Sequence, residues 1–268
     1  MDYPAIEHAV VEPGAALVTL VEPHRGHEVA YNRWYERDHF YAGCLVGPMW
    51  FAGRRFVATR ALKELRFPAD TPAIASVRAG SYLAVYWILA GHEADAIGWG
   101  TTQVRWLHPA GRMFEHRDHV HTLVYRHRWA VGRDDDGVPA ALALDHPFAG
   151  LVLLMADPVE GVSARALSEW LRDEAVPASM AGTPWALTNG LSPIPLPPDA
   201  PVSQPPAPGQ DRRLLLLAHV DTEPGGCWEE VFVPFAEAVR AGGLGTVSLA
   251  APFVPTVPGT DTYTDQLW

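Results

Sequence analysis

The sequence predicts an α+β fold in which a β-α-β-β-α-β order occurs twice in one chain, and three observations predict it. Two short apolar runs ending in proline, "ALVTLVEP" at 16–23 and "GLVLLMADP" at 150–158, open the two halves as buried strands. Trp34 follows Pro23 by eleven residues, and Trp170 follows Pro158 by twelve. Fourteen residues beyond each tryptophan stands a proline, Pro48 or Pro184, with Trp50 or Trp185 close behind. Landmarks that coincide with a single one-residue gap mark an internal repeat.

The remaining elements follow in the same order in each half. In the first, the helix around "YNRWYERDHF" is followed by "RRFVATRAL" and "SYLAVYWIL" as strands, "EADAIGWGTTQVRWL" as a helix and "HVHTLVYRHRWAV" as a strand. In the second come a strand near Trp185, a Pro-rich surface loop over 192–210, the strand "RRLLLLAHV", the helix "CWEEVFVPFAEAVRAGG" and the strand "GTVSLAAPF". This order is the ferredoxin-like arrangement, predicted over residues 1–140 and again over 141–268. One such sheet leaves a face bare of helices. Two can cover each other, so the sequence predicts a fused α+β barrel with helices outside.

Composition narrows the function. A hydrophobic share of 48% and a charged share of 19% belong to a chain that buries a large core. A net charge of -11, with lysine and arginine dispersed, excludes nucleic acid or an anionic membrane as the main partner. No run approaches the eighteen apolar residues of a membrane span. The N-terminus shows no export signal, and the two distant cysteines suit a reducing compartment, so a cytoplasmic protein is expected. Fusion of the repeats removes the need for a second chain to close the barrel, though a homodimer stays open.

The first helix carries the most informative pattern. Tyr31, Trp34, Tyr35, Asp38 and His39 fall at i, i+3, i+4, i+7 and i+8, one helical face that begins aromatic and ends ionisable. Burying such a pair costs roughly several kcal/mol unless partners satisfy it. A structural reading has Asp38 and His39 bonding nearby loops at the helix end. The second half weighs against it, because its stripe reads Leu167, Trp170, Leu171, Glu174 and Ala175. Tryptophan recurs, but the place of His39 is held by Ala175, so the histidine is expected to serve function. The N-terminal repeat is then the catalytic one.

"EHRDHVHTLVYRHRW" is the other unusual segment. Strand alternation puts His119, His121, Leu123, Tyr125, His127 and Trp129 on one face, a candidate pocket wall. A metal reading competes, with His119 and His121 completed by Asp38, Glu115 or His39, but the spacing matches no specific motif. A solvated histidine-rich edge strand is the plain alternative. Trp50, Tyr82, Tyr86 and Trp87 offer flat walls for an aromatic ligand, although most such residues belong to cores.

The "WYERDH" stretch, with Trp34, Tyr35 and His39, resembles the EthD-like group of the dimeric α+β barrel superfamily. The terminal "PGTDTYTDQLW" is similar to a tail of its tandem members. The resemblance implies small-molecule enzymes that often need no cofactor, among them polyketide cyclases, muconolactone isomerases and quinol-forming monooxygenases. It also implies haem-using branches.

The expected activity is cofactor-independent acid–base catalysis, as a lyase, cyclase, dehydratase or isomerase, on a hydrophobic aromatic or polyketide-like compound. His39 is the expected base or acid, Asp38 its orienting partner, Tyr35 a donor to a developing oxyanion, and His119 or His121 the second proton carrier. Tyr31, Trp34, Trp50, Tyr86, Tyr125 and Trp129 are the expected substrate contacts. A metal- or haem-dependent enzyme, or a binder that changes nothing, are the alternatives.

Overall fold

A computed structural model describes residues 11–195 and 207–268. The first half runs β1 (Pro13–Pro23), α1 (Glu28–Trp34), β2 (Trp50–Val57), α2 (Arg60–Leu65), β3 (Tyr82–Leu89), α3 (Glu93–Leu107) and β4 (Arg117–Gly132). α1 continues through π-helical turns at Tyr35–His39 and Tyr41–Leu45. The second half runs β5 (Gly150–Pro158), α4 (Ala164–Trp170), α5 (Val176–Met180), β6 (Trp185–Ile194), β7 (Leu214–Val220), α6 (Val233–Ala241) and β8 (Gly245–Pro255). A π-helical turn at Leu171–Ala175 joins α4 to α5, and another at Trp228–Phe232 precedes α6.

All strand pairs are antiparallel and close in the order β1-β3-β2-β8-β5-β7-β6-β4. Each half therefore contributes the predicted ferredoxin-like sheet, and the two sheets form one α+β barrel within a single chain. The seams between the halves differ. β4 and β6 pair from Val124–Ile194 to Gly132–Leu187, whereas β2 and β8 pair only at Phe56–Pro255 and Val57–Val254. Phe67, beyond α2, extends the short seam by exchanging backbone hydrogen bonds with Ala250 at 3.3 and 2.8 Å. Residues such as Val85, Leu123, Leu153, Leu217 and Phe253 fill the space between the sheets. Each fully buried Leu or Phe contributes about 1.5–3 kcal/mol.

Two predicted boundaries shift. The strand expected over 54–62 spans Trp50–Val57 instead, and Thr59 then caps α2 by accepting from the Leu62 amide at 3.4 Å. The loop expected over 192–210 loses Ser192–Ile194 to β6, and residues 196–206 lie outside the described ones. The tail is bound to α1: Asn32 donates to the Thr260 carbonyl at 3.0 Å, Arg33 pairs with Asp261, and Trp268 donates to Glu28. No helix among the described residues is long and apolar enough to cross a membrane.

Candidate active site

The first half keeps a cavity between its sheet and its helices. Leu17 and Thr19 of β1, Thr122 and Val124 of β4, and Tyr86 of β3 form its floor. Tyr35, His39, Gly43 and Cys44 of the α1 extension, Trp50, and Ile97, Thr101 and Val104 of α3 form its sides. Arg117, His119 and Met113 complete the lining of a space of about 130 Å³. A dry cavity of about 150 Å³ holds a benzene ring, so this one takes a single ring and opens to solvent for the rest of a ligand.

The π-helical turn decides which end of the predicted stripe reaches the cavity. A turn wider than an α-turn carries residue i+3 off the face of residue i and keeps i+4 on it. His39 therefore stays below Tyr35 and lines the cavity. Asp38 is carried to the rim, where Arg112 holds its carboxylate with two hydrogen bonds and keeps its pKa low. The expected hydrogen bond from Asp38 to His39 is absent, so Asp38 does not orient the imidazole.

His39 is held by stacking. Its ring lies on Trp34 at 4.5 Å and 18° and meets Tyr35 edge-on at 5.3 Å. Gly43, one turn on, leaves room for it: a Cβ there would sit 3.1 Å from the imidazole Cε1. Nδ1 is buried without a hydrogen-bond partner. Burial, followed by the nearby Arg117 and His119, lowers the His39 pKa to about 3. The ring is thus neutral at ordinary pH.

Two tyrosines and a threonine pair complete the polar lining. The Tyr86 hydroxyl donates to the Tyr35 oxygen at 3.0 Å, which leaves the Tyr35 proton free for a ligand. Burial raises Tyr35 to about 12 and pushes Tyr86 well above its ordinary value, so both remain protonated. His119 Nδ1 meets the Thr122 hydroxyl at 2.8 Å, and Thr122 meets Thr19 at 2.8 Å. Burial lowers His119 to about 4.

The strand histidines do not share a face, because β4 bulges twice. Leu20 pairs with His121 but Val21 pairs with His119, so Val120 is the extra residue and the alternation reverses there. His119 faces the helices, while His121, Leu123 and Tyr125 face the barrel interior. His121 Nε2 bonds the Tyr125 hydroxyl at 2.7 Å, and neither residue lines the cavity. A second shift at Arg128 turns Trp129 onto Gly190 and toward α4, where its Nε1 donates to Ser168 at 2.9 Å. His121, Tyr125 and Trp129 therefore do not line this cavity. Tyr31 and Trp34 support the site from behind: Tyr31 contacts the rings of Trp34, Tyr35 and Tyr82, and Trp34 donates to the Arg112 carbonyl at 2.9 Å. Since His119 and His121 point to opposite sides of the sheet, they cannot share an ion. No three metal-type side chains converge among the described residues.

Of the predicted site residues, the fold brings together Tyr35, His39, Trp50, Tyr86 and His119. Sequence reasoning missed Arg117, Thr19, Thr122 and the α3 wall. Arg117 stood at the head of the histidine-rich strand, and a bulge three residues on, at Val120, hid which way that head points.

No protein-family model and no curated protein sequence matches this chain. Solved structures do. An anthrone oxidase-like protein is similar at 9% identity over 93% of this chain and 95% of its own, with a TM-score of 0.55. A haem complex of a DypB variant from Rhodococcus jostii RHA1 is similar at 11% identity over 96% of each chain, with a TM-score of 0.53. At such identities the likeness establishes the dimeric α+β barrel fold alone.

Proposed function

We propose that the half spanning 1–140 is an acid–base enzyme acting on a small ring compound, and that the half spanning 141–268 closes the barrel. The observation that carries this reading is His39, a neutral imidazole with a sealed, partnerless Nδ1 at the wall of a ring-sized cavity. The Trp34–Tyr35–His39 stretch and the packed tail fit a fused pair of EthD-like repeats.

In this mechanism the ring lies against Trp50 and Tyr86 on one side and the α3 wall on the other. His39 accepts a proton from an acidic C–H or O–H, and Tyr35, its oxygen already accepting from Tyr86, donates to the oxygen on which charge develops. His39, now charged, returns that proton at another atom of the substrate or to a leaving group, which completes an isomerisation, cyclisation or elimination. His119, anchored to Thr122, hydrogen-bonds the atom that receives it. The fold likeness to an anthrone oxidase-like protein supports a second fate. There the carbanion left by C–H removal adds dioxygen, the oxidant, to give a hydroperoxide that loses water and leaves a carbonyl, and oxygen consumption separates the two.

Haem, present in the DypB complex, does not fit these residues. A macrocycle of four linked pyrroles exceeds the enclosed space of about 130 Å³, and the matching place in the second half is packed by Trp185, Phe232 and Phe235. The larger groove along α4 is lined by Arg128, Arg165, Glu169 and Arg172, with no histidine or cysteine to ligate iron.

The test is deuterium incorporation from heavy water into one-ring ketones and phenols, followed by NMR. Wild-type protein is expected to exchange at least one substrate, and His39→Ala to lose about 10²–10⁴-fold in rate. Wild-type exchange by His39→Ala, or binding of every candidate without exchange, overturns the reading, the latter in favour of a binder.

A further inference from the structure

The cavity wall carries one fixed charge. Its lining includes Arg117 and no aspartate or glutamate. Nearby acids are engaged elsewhere: Asp38 with Arg112, Asp118 with His24 at 3.3 Å, and Glu36 with Arg37 at 3.7 Å and Arg55 at 4.0 Å. Among the described residues no carboxylate lies within ion-pair distance of the Arg117 guanidinium. What holds that group is the face of Trp34, 4.9 Å away. Burial lowers its pKa, yet an arginine stays charged at any ordinary pH.

A half-buried cation without a counter-ion is costly, and a hydrophobic residue of similar volume would serve stability better. Retaining one beside the free Tyr35 hydroxyl makes sense when a ligand brings the missing charge. Net charge gives an anion no help. At -11 the chain repels anions at long range, so an anion would be captured by this local arrangement and not by the overall field.

We propose that the cavity takes a one-ring compound bearing an anionic oxygen, carboxylate or phenolate, with the oxygen on Arg117 and the ring against the Trp50–Tyr86 pair, whose own rings meet edge-on at 6.2 Å. This deepens the enzyme reading and rests on the same cavity being the substrate site. It also has a consequence for His39. That ring faces Arg117 and His119 from β4, Asp38 on its own helix, Arg112 beyond α3, and Tyr35 with Tyr86. An anion that offsets Arg117 removes one of the charges that depress the imidazole, so binding and base strength rise together.

Calorimetric titration of the full-length chain with benzoate, para-nitrophenolate and uncharged benzamide tests the proposal. At least one anion is expected to bind tenfold or more tightly than benzamide; which one does so separates the carboxylate source from the phenolate. Arg117→Met should bring that preference to near unity, Arg117→Lys should retain part of it, and melting curves of both confirm folding. The His39 NMR titration should move upward when the preferred anion is bound. Equal binding of benzamide, no anion binding, or a preference that survives Arg117→Met overturns the proposal. The His39→Ala variant keeps the two readings apart. Arg117-dependent binding that it retains, with no exchange by wild type, leaves the anion site standing and ends the enzyme reading.

Discussion

The two halves build the same layers from the same element order, yet one leaves a ring-sized space beside Tyr35 and His39, while the other packs the matching place and opens instead onto a polar groove lined by Arg165, Glu169 and Arg172 along α4. The clearest comparison is at the first helix of each. α1 and α4 are both seven residues long, both end in tryptophan, and both pass into a five-residue π-helical turn. Tyr35 and His39 in one are matched by Leu171 and Ala175 in the other, and the second pair is buried among Val176, Met180, Trp185 and Phe232. The scaffold is thus independent of the polar residues it displays. What distinguishes the halves is whether side-chain volume facing the helices is large enough to close the gap.

The largest expected effect that tests this contrast is on the filled side. Trp185→Ala should cost about 3–5 kcal/mol, because every face of the indole is in contact, while Trp50→Ala, with one face on the cavity, should cost clearly less by denaturant titration. Equal costs would mean that the first half is as tightly packed as the second. Next, Ala175→His should cost about 3 kcal/mol by combining overpacking with a buried polar ring, whereas His39→Ala should change stability by less than about 1 kcal/mol. A destabilised His39→Ala would mark the histidine as structural.

Acid sensitivity comes third. Burial lowers His39 and His219 to about 3, and His119 and His121 to about 4. For each, the folded pKa lies below the unfolded value near 6.5, so the unfolded chain takes up the proton first as pH falls. Stability is full above about pH 6.5 and is lost toward pH 4, by about 2 kcal/mol per histidine at pH 5. His219, with neither ring nitrogen partnered inside the barrel, offers the cleanest check: His219→Leu should flatten the acid limb of melting temperature against pH. An unchanged slope would show that its burial is relieved in solution. The smallest effect is at Gly43. Gly43→Ala should displace the imidazole by a few tenths of an ångström and slow exchange severalfold while leaving melting almost unchanged.

Much of this was legible in the sequence. Apolar runs of strand length and one helical stripe located the elements, and comparing the chain with itself singled out His39, because Trp34 recurs as Trp170 while His39 becomes Ala175. Helical periodicity placed Tyr35 beside His39, and the abundance of aromatic residues offered Trp50 and Tyr86 as walls, along with Tyr82 and Trp87, which do not line the cavity. Periodicity erred where backbone geometry departs from the ideal repeat. The bulges at Val120 and Arg128 sent His121 and Tyr125 inward and Trp129 to the opposite half, and nothing in a single sequence announces an extra residue in a ladder. The π-helical turn likewise handed Asp38 to Arg112, a partner 74 residues away.

The sequence by itself determined the strand and helix order, the ferredoxin-like repetition and the asymmetry of its two first helices, because hydrophobic spacing is a local property. Only the tertiary structure decided that the barrel closes through one long seam and one short one, that the cavity lies outside the sheet, and that Arg117 and His119 meet His39 there. Those outcomes depend on register and turn width. A shift of one residue reverses a side chain's face without changing any pattern that the sequence displays.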